Sequence, residues 1–371
     1  MPLSAVDSIN PAFEHARKQL FQPFRFGQWV RLAFVGFLAG EMSSGGCNAR
    51  FNYPMPHQDK KGDQFLSAGP WHWPEHLGLN HAQIIAGFAI AFLLVMIVAV
   101  LFTYIASRMR FILFDSIIAK ECHVRAGWAR RKAEGWRLFV WQIWLMLLSF
   151  AALFILILIP LGLVWAFGWL KQPRDHVIEL VLGGILLFLV FFVLIVLLAV
   201  VHVMTKDFVV PQMAMEGIGA TEGWRRLWER MKAERGGYAS YVGMKLLLAI
   251  ASGMAFAIVL LVVILLLLIP IGGAGIVAVL AGKAAGFAWN IYTIALAVVG
   301  GLILLVGFMF LIALLSVPLI VFFPAYAIYF FASRYAPLAA LLWPQSPQAP
   351  VVPVMPRFDP PPFPPTPAPL G

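Results

Sequence analysis

The side chains best suited to chemistry crowd one hydrophilic stretch, Glu41–His81, which holds four of the eight histidines: His57, His72, His76 and His81. The last three are spaced by four and five residues, and two imidazoles one helical turn apart can share a metal ion. A metal site needs more than that. No well-placed cysteine or carboxylate accompanies them, and Pro70 and Pro74 interrupt the helix that would aim them. The stretch therefore reads as an external loop whose Trp71 and Trp73 rest in an aromatic belt, with no metal or cofactor expected.

The second candidate chemistry is transport. Pro160 and Pro270 lie deep in apolar runs, each inside Ile-Pro-x-Gly, and Pro318 and Pro324 interrupt the last run. A proline frees a helical carbonyl, and carriers use paired breaks of this kind to build binding sites. These four are the expected helix-break positions. A coupled carrier also needs ionisable groups at membrane depth. By sequence position Asp115, Glu121, Asp207 and Glu216 fall in loops, Glu179 and His202 at the ends of one span, and Lys245 near an interface. Kinks are therefore expected rather than a coupled site, with Ile271–Gly286 either a wound loop or re-entrant. No Walker lysine motif, nucleophile elbow, metallohydrolase signature or Cys-x-x-Cys occurs, so no enzymatic activity is expected.

The elements that would position these residues are long apolar runs: Ala82–Ser107, Leu138–Leu170, Val177–Met204, Tyr241–Ile269 and Thr293–Ser333, with a shorter one at Trp29–Gly40 that is either a first span or a re-entrant or tilted segment. About 20 apolar residues span a bilayer core of about 30 Å. Composition agrees, at 61% hydrophobic and 12% charged, far more apolar than a soluble domain. Of the 27 lysines and arginines, 21 fall in the first, third, fifth and seventh hydrophilic segments and 6 in the others. By the positive-inside rule this expects six spans in a bacterial inner membrane with both termini cytoplasmic. The net charge of +10 then belongs to the membrane surface, and nucleic acid is not an expected partner. Cys47 and Cys122 lie on opposite faces in this topology and cannot pair.

A repeat is visible. Phe111, Gly127 and Trp128 head a basic segment running through Trp136 into the span at Leu138; Phe208, Gly223 and Trp224 head another ahead of Tyr241. The N-terminal segment, with Phe13, Ala16, Leu20 and Phe21 on one side, echoes them. Three units are read, each an interfacial helix followed by two spans. The clearest such helix is Thr221–Arg235, where Trp224, Leu227, Trp228 and Met231 recur at i, i+3, i+4 and i+7, opposite Arg225 and Arg226. Trp128, Trp136, Trp224, Trp228, Arg225 and Arg226 are the expected membrane-interface residues, touching the bilayer and its anionic headgroups.

The domain reading is a cytoplasmic amphipathic segment at 1–28, a six-span membrane domain at 29–336 and a proline-rich, disordered cytoplasmic tail at 337–371. The membrane domain has an external loop at 41–81 and cytoplasmic loops at 108–137 and 206–240. In the tail, Pro344, Pro347, Pro350, Pro353 and Pro356 keep a period of three, the polyproline II repeat. That makes the tail a candidate ligand for an aromatic-lined groove on a protein partner.

From Val209 to Arg235, with Val209, Pro211, Glu216, Gly217, Trp224 and Arg225 in place, the chain resembles uncharacterised bacterial multi-pass proteins similar to the membrane domain of glycerophosphoryl diester phosphodiesterases. The copy at Phe111–Arg137 lacks the proline. The catalytic domain of those enzymes has no counterpart, so the resemblance implies membrane architecture only. The expectation is an all-α polytopic membrane protein with a structural, lipid-contacting or assembly role; a permease or exporter of a small or lipidic substrate is the alternative.

Overall fold

The structure is a computed structural model and describes residues 3–41, 81–169, 176–284 and 291–343. All regular elements among these residues are helical. In chain order they are α1 (Ile9–Phe21), α2 (Phe26–Leu38), α3 (His81–Ala119), α4 (Val124–Arg130), α5 (Lys132–Ala166) and α6 (Val177–Met204). A π-helical turn, Thr205–Val209, leads into α7 (Val210–Glu216), followed by α8 (Ala220–Ala233), α9 (Arg235–Ala284), α10 (Ile291–Leu315), α11 (Val317–Ala332) and α12 (Ala336–Leu342). Among the described residues five helical stretches are long and apolar enough to cross a membrane, or six if the bent pair α11 and α12 forms one crossing. This is an all-α polytopic membrane protein.

Its core does not lie between the spans. At most 6% of the most apolar window of any of the five is buried within the chain. Burial is concentrated at one end: in α3 from Ser107 onward, in α5 at Gly135 and Leu138, in α6 at Met204, and in α9 at Tyr238 and Tyr241. The segments expected as loops at 108–137 and 206–240 are helical and supply much of this core, because each span continues as helix past its apolar stretch and buries its next turns against protein. α11, apolar on every side, is the pillar they surround, with Val317, Ile320, Val321, Tyr326, Phe330 and Phe331 all buried.

The structure refines the reading of three stretches. α2 has 13 residues, about 20 Å of helix, too short for a core of about 30 Å. It lies antiparallel beside the end of α3, with Gln28 Nε2 donating to the Lys120 carbonyl at 2.7 Å and Arg110 Nη2 to the Ala39 carbonyl at 3.2 Å. The run Thr293–Ser333 divides into α10 and α11 at Ser316, with Pro318 in the first turn of α11, where a proline fits. The tail begins later than residue 337: α12 bends back by 118° and buries Leu338. Residues 344–371, with the period-three prolines, lie outside the described residues.

The repeat has a physical cause in its glycines. A Cβ on Gly127 would sit 3.0 Å from Ile112 Cγ1, and one on Gly223 would sit 2.8 Å from Val209 Cγ1. Ile112 follows Phe111 and Val209 follows Phe208, so each basic helix folds back onto the same position of the helix before it. α1 behaves differently from the expected third unit. Its buried stripe is Ala12, His15, Ala16, Gln19 and Leu20, while Phe13 and Phe21 are exposed. This stripe packs on α11 at the far end of the chain: Tyr326 Oη donates to the Ala5 carbonyl at 3.1 Å, and Arg334 Nη1 to that of Leu3 at 2.9 Å.

His15 is held between α3 and α11. Its Nε2 lies 2.9 Å from the Ile117 carbonyl, which only accepts, so Nε2 carries the proton and Nδ1 accepts from Tyr329 Oη at 3.2 Å. Burial pushes the imidazole below its ordinary 6.5, and Lys120 and Lys18 push the same way. The stability this contact contributes is therefore complete above pH 6.5 and is lost as pH falls below 6.5 through the lower folded value. Denaturation in detergent between about pH 5 and 8 should show this loss, and His15→Gln should flatten it. Gly223→Val should cost about 1–3 kcal/mol by overpacking Val209, whereas Gly236→Ala, with open space around it, should be neutral or slightly stabilising in the same melt.

Candidate functional site: a buried charge centre

Where α2 ends and α3, the π turn, α9 and α11 converge, the chain buries five charged residues together: Glu41, Arg110, Lys206, Asp207 and Lys245. Glu41 pairs with Lys206, their side chains 2% and 6% exposed. Asp207 pairs with Lys245 and accepts a hydrogen bond from Tyr241 Oη at 2.8 Å. Their positions follow from local structure. Lys206 and Asp207 are adjacent in sequence and would point about 100° apart on a regular α-helix. Both line one small cavity from the π turn. Tyr241 and Lys245 share a face of α9 at i and i+4.

The cavity is 30 Å³, about the volume that one water occupies in the liquid. Three helices face it with the same spacing: Arg110, Leu113 and Phe114 from α3; Asp207, Val210 and Pro211 from the π turn and α7; Pro324, Ala327 and Ile328 from α11. Each set is i, i+3, i+4, one helical face. An aromatic cluster stands beside Asp207, joined to it through Tyr241. Tyr241 lies nearly parallel to Tyr326, ring centres 5.2 Å apart and planes 8° apart, and Phe208 touches Tyr241 at 4.9 Å and Phe331 at 5.2 Å. Buried as they are, the two ion pairs gain strength from a low-dielectric setting and become costly to break. Among the described residues no group of three or more His, Cys, Asp or Glu is placed to hold a metal ion. Of the four loop histidines only His81 is described.

Sequence position had set Asp207 in a loop, Lys245 near an interface and ionisable groups almost wholly outside the spans. That reading is corrected here. Lys206 and Asp207 lie just past the end of one apolar run and Lys245 near the start of another, where packing against protein rather than water decides their surroundings. One signal was present: Arg110 and Asp207 each immediately precede the repeat phenylalanine, Phe111 and Phe208, and so hold the same register.

The other singled-out residues are dispersed. Pro160 and Pro270 lie inside continuous helices α5 and α9, and Pro324 inside α11; only Pro318 marks a helix boundary. α9 stays helical through Ala284, across most of Ile271–Gly286. Trp128 lies under the Arg108 guanidinium at 4.1 Å, while Trp136 is 55% exposed. Trp224 and Trp228 do not share a setting. Trp224 Nε1 donates to Thr205 Oγ1 at 3.0 Å, tying α8 to the π turn, and Leu227 beside it is fully buried. Trp228 is 53% exposed. Arg225 pairs with Glu222 at 2.9 Å, and Arg226 pairs with Glu222 at 2.8 Å and with Glu216. The apolar face of α8 thus docks largely on protein.

Tyr241→Phe removes the one neutral donor to a buried carboxylate. It should cost about 1.5–3 kcal/mol in detergent unfolding, as expected for a hydrogen bond to a charged group. Tyr329→Phe, at a less buried hydroxyl, should cost less.

No curated protein and no solved structure matches the chain. A family model does match, over residues 3–341 of 371. The chain belongs to this family, DUF7544, a family of unknown function.

Proposed function

We propose that this protein is a lipid-contacting membrane scaffold, without enzymatic activity, rather than a carrier. The observation that carries the reading is the buried centre: Glu41–Lys206 and Asp207–Lys245 are matched buried pairs, and the cavity beside them has room for about one water. A carrier for a small or lipidic substrate would need that centre to open alternately to both sides, breaking buried pairs at about 3–5 kcal/mol each. The sites of the expected transport breaks, Pro160 and Pro270, stand in unbroken helix. The long spans, hardly buried against one another, offer broad apolar faces to acyl chains or to a second membrane protein.

In this proposal the basic helices lie at the cytoplasmic face of a bacterial inner membrane, with both termini inside. Trp136, Trp228 and Arg225, all exposed, meet the anionic headgroup layer, and the proline-rich tail serves as a ligand for a protein partner. The likeness of Val209–Arg235 to the membrane domain of glycerophosphoryl diester phosphodiesterases supports a shared membrane module without the hydrolytic activity.

Cysteine labelling tests this. In a chain with Cys47 and Cys122 replaced by Ser, Ala327→Cys at the central cavity should resist a membrane-impermeant maleimide in both spheroplasts and inverted vesicles. Arg225→Cys should react in inverted vesicles alone. Labelling of Ala327→Cys from both faces would sink the scaffold and restore the permease.

A further inference from the structure

Among the described residues, the buried centre carries one more cation than it has carboxylates. Arg110, Lys206 and Lys245 face two carboxylates, Glu41 and Asp207, and each lysine already has its own carboxylate. Arg110, 7% exposed, donates through Nη2 to the Ala39 carbonyl, while its Nε and Nη1 have no hydrogen-bond partner. A buried guanidinium with unmet donors is expensive, and its fork suits a carboxylate or phosphate.

Arg110 also stands at the end of a side chamber of 610 Å³ between α3, α5 and α6. Gln142 and His202 flank Arg110, and Leu145, Leu153, Leu194 and Leu198 line the apolar length. Phe150 and Ile195 on its wall are 57% and 48% exposed, so the chamber is continuous with the lipid-facing surface of the spans. An apolar cleft of this volume with a few convergent polar groups at one end has the form of a small-molecule site.

We propose that this chamber binds one amphiphile carrying an anionic head on a single acyl chain, with the head on Arg110 and the chain along α5 and α6. The anion balances the odd cation, and the apolar wall excludes water from the contact. This names the lipid of the scaffold reading and rests on it.

The full chain in detergent, measured by native mass spectrometry against added palmitate, lysophosphatidate, hexadecanol and inorganic phosphate, tests the site. Palmitate or lysophosphatidate should be retained at one per chain, whereas hexadecanol, lacking the charge, and phosphate, lacking the chain, should not be. Arg110→Gln should weaken retention by about tenfold or more, the loss that one charge-assisted hydrogen bond accounts for. Leu194→Trp, which fills the chamber and leaves the charges untouched, should abolish retention and decides the matter if Arg110→Gln does not fold. Hexadecanol retained as well as palmitate, phosphate retained alone, or undiminished retention by Leu194→Trp would overturn the proposal. The two readings fail separately. Labelling of Ala327→Cys from both faces removes the scaffold whatever is retained, and a chain that stays unlabelled and retains no acyl anion removes the chamber alone.

Discussion

Burying the two ion pairs, Glu41–Lys206 and Asp207–Lys245, is the constraint on which the remaining structure depends. Each charge would be unstable in an apolar interior alone, so partners from distant stretches of chain must arrive together. Glu41 comes from the end of α2, Lys206 and Asp207 from the π turn, and Lys245 from α9. None of these elements can move away without stranding a charge. The π turn carries two consecutive residues of opposite sign, Lys206 and Asp207, and both line the same cavity.

The helices that bring these charges in are long because they serve two solvents. The first part of α3 and most of α6 and α9 present apolar side chains outward, while their ends at Arg110, Asp207 and Tyr241 sit in a protein core. α11 fills the middle, and α1 and α12 clamp it. Arg334 forks onto Glu234 at 2.6 and 2.8 Å and reaches the Leu3 carbonyl. That contact holds Glu234 below the usual carboxylate range and joins both ends of the chain to the α8–α9 junction. A basic helix on such a frame is fixed by protein contacts such as Gly223 against Val209, with only its outer residues left for headgroups.

Much of the fold was legible in the sequence. Apolar length announces helices α3, α5, α6, α9 and α10, because nothing but membrane requires runs of that kind. The repeat glycines are visible too, although their reason, a side chain packed where a Cβ would stand, lies in tertiary contacts. The centre was hidden for a physical reason: Lys206, Asp207 and Lys245 read as ordinary flanking charges, and only tertiary packing distinguishes a solvated flank from a buried pair. α2 misled in the opposite direction, since Trp29–Gly40 is apolar enough to suggest a crossing but covers protein on one side and ends at Glu41. Trp224 and Trp228 share a helical face by count, yet the π turn takes one of them through Thr205 and leaves the other outside.

The most direct measurement is a double-mutant cycle on Asp207 and Lys245, using Asp207→Asn, Lys245→Met and the pair, with unfolding free energies in detergent. If the buried pair holds the centre together, each single change leaves one charge stranded and the double change relieves that penalty. The two losses should then fail to add, with a coupling of about 1–3 kcal/mol. Strictly additive losses would mean that the two side chains do not depend on each other, and would contradict the account.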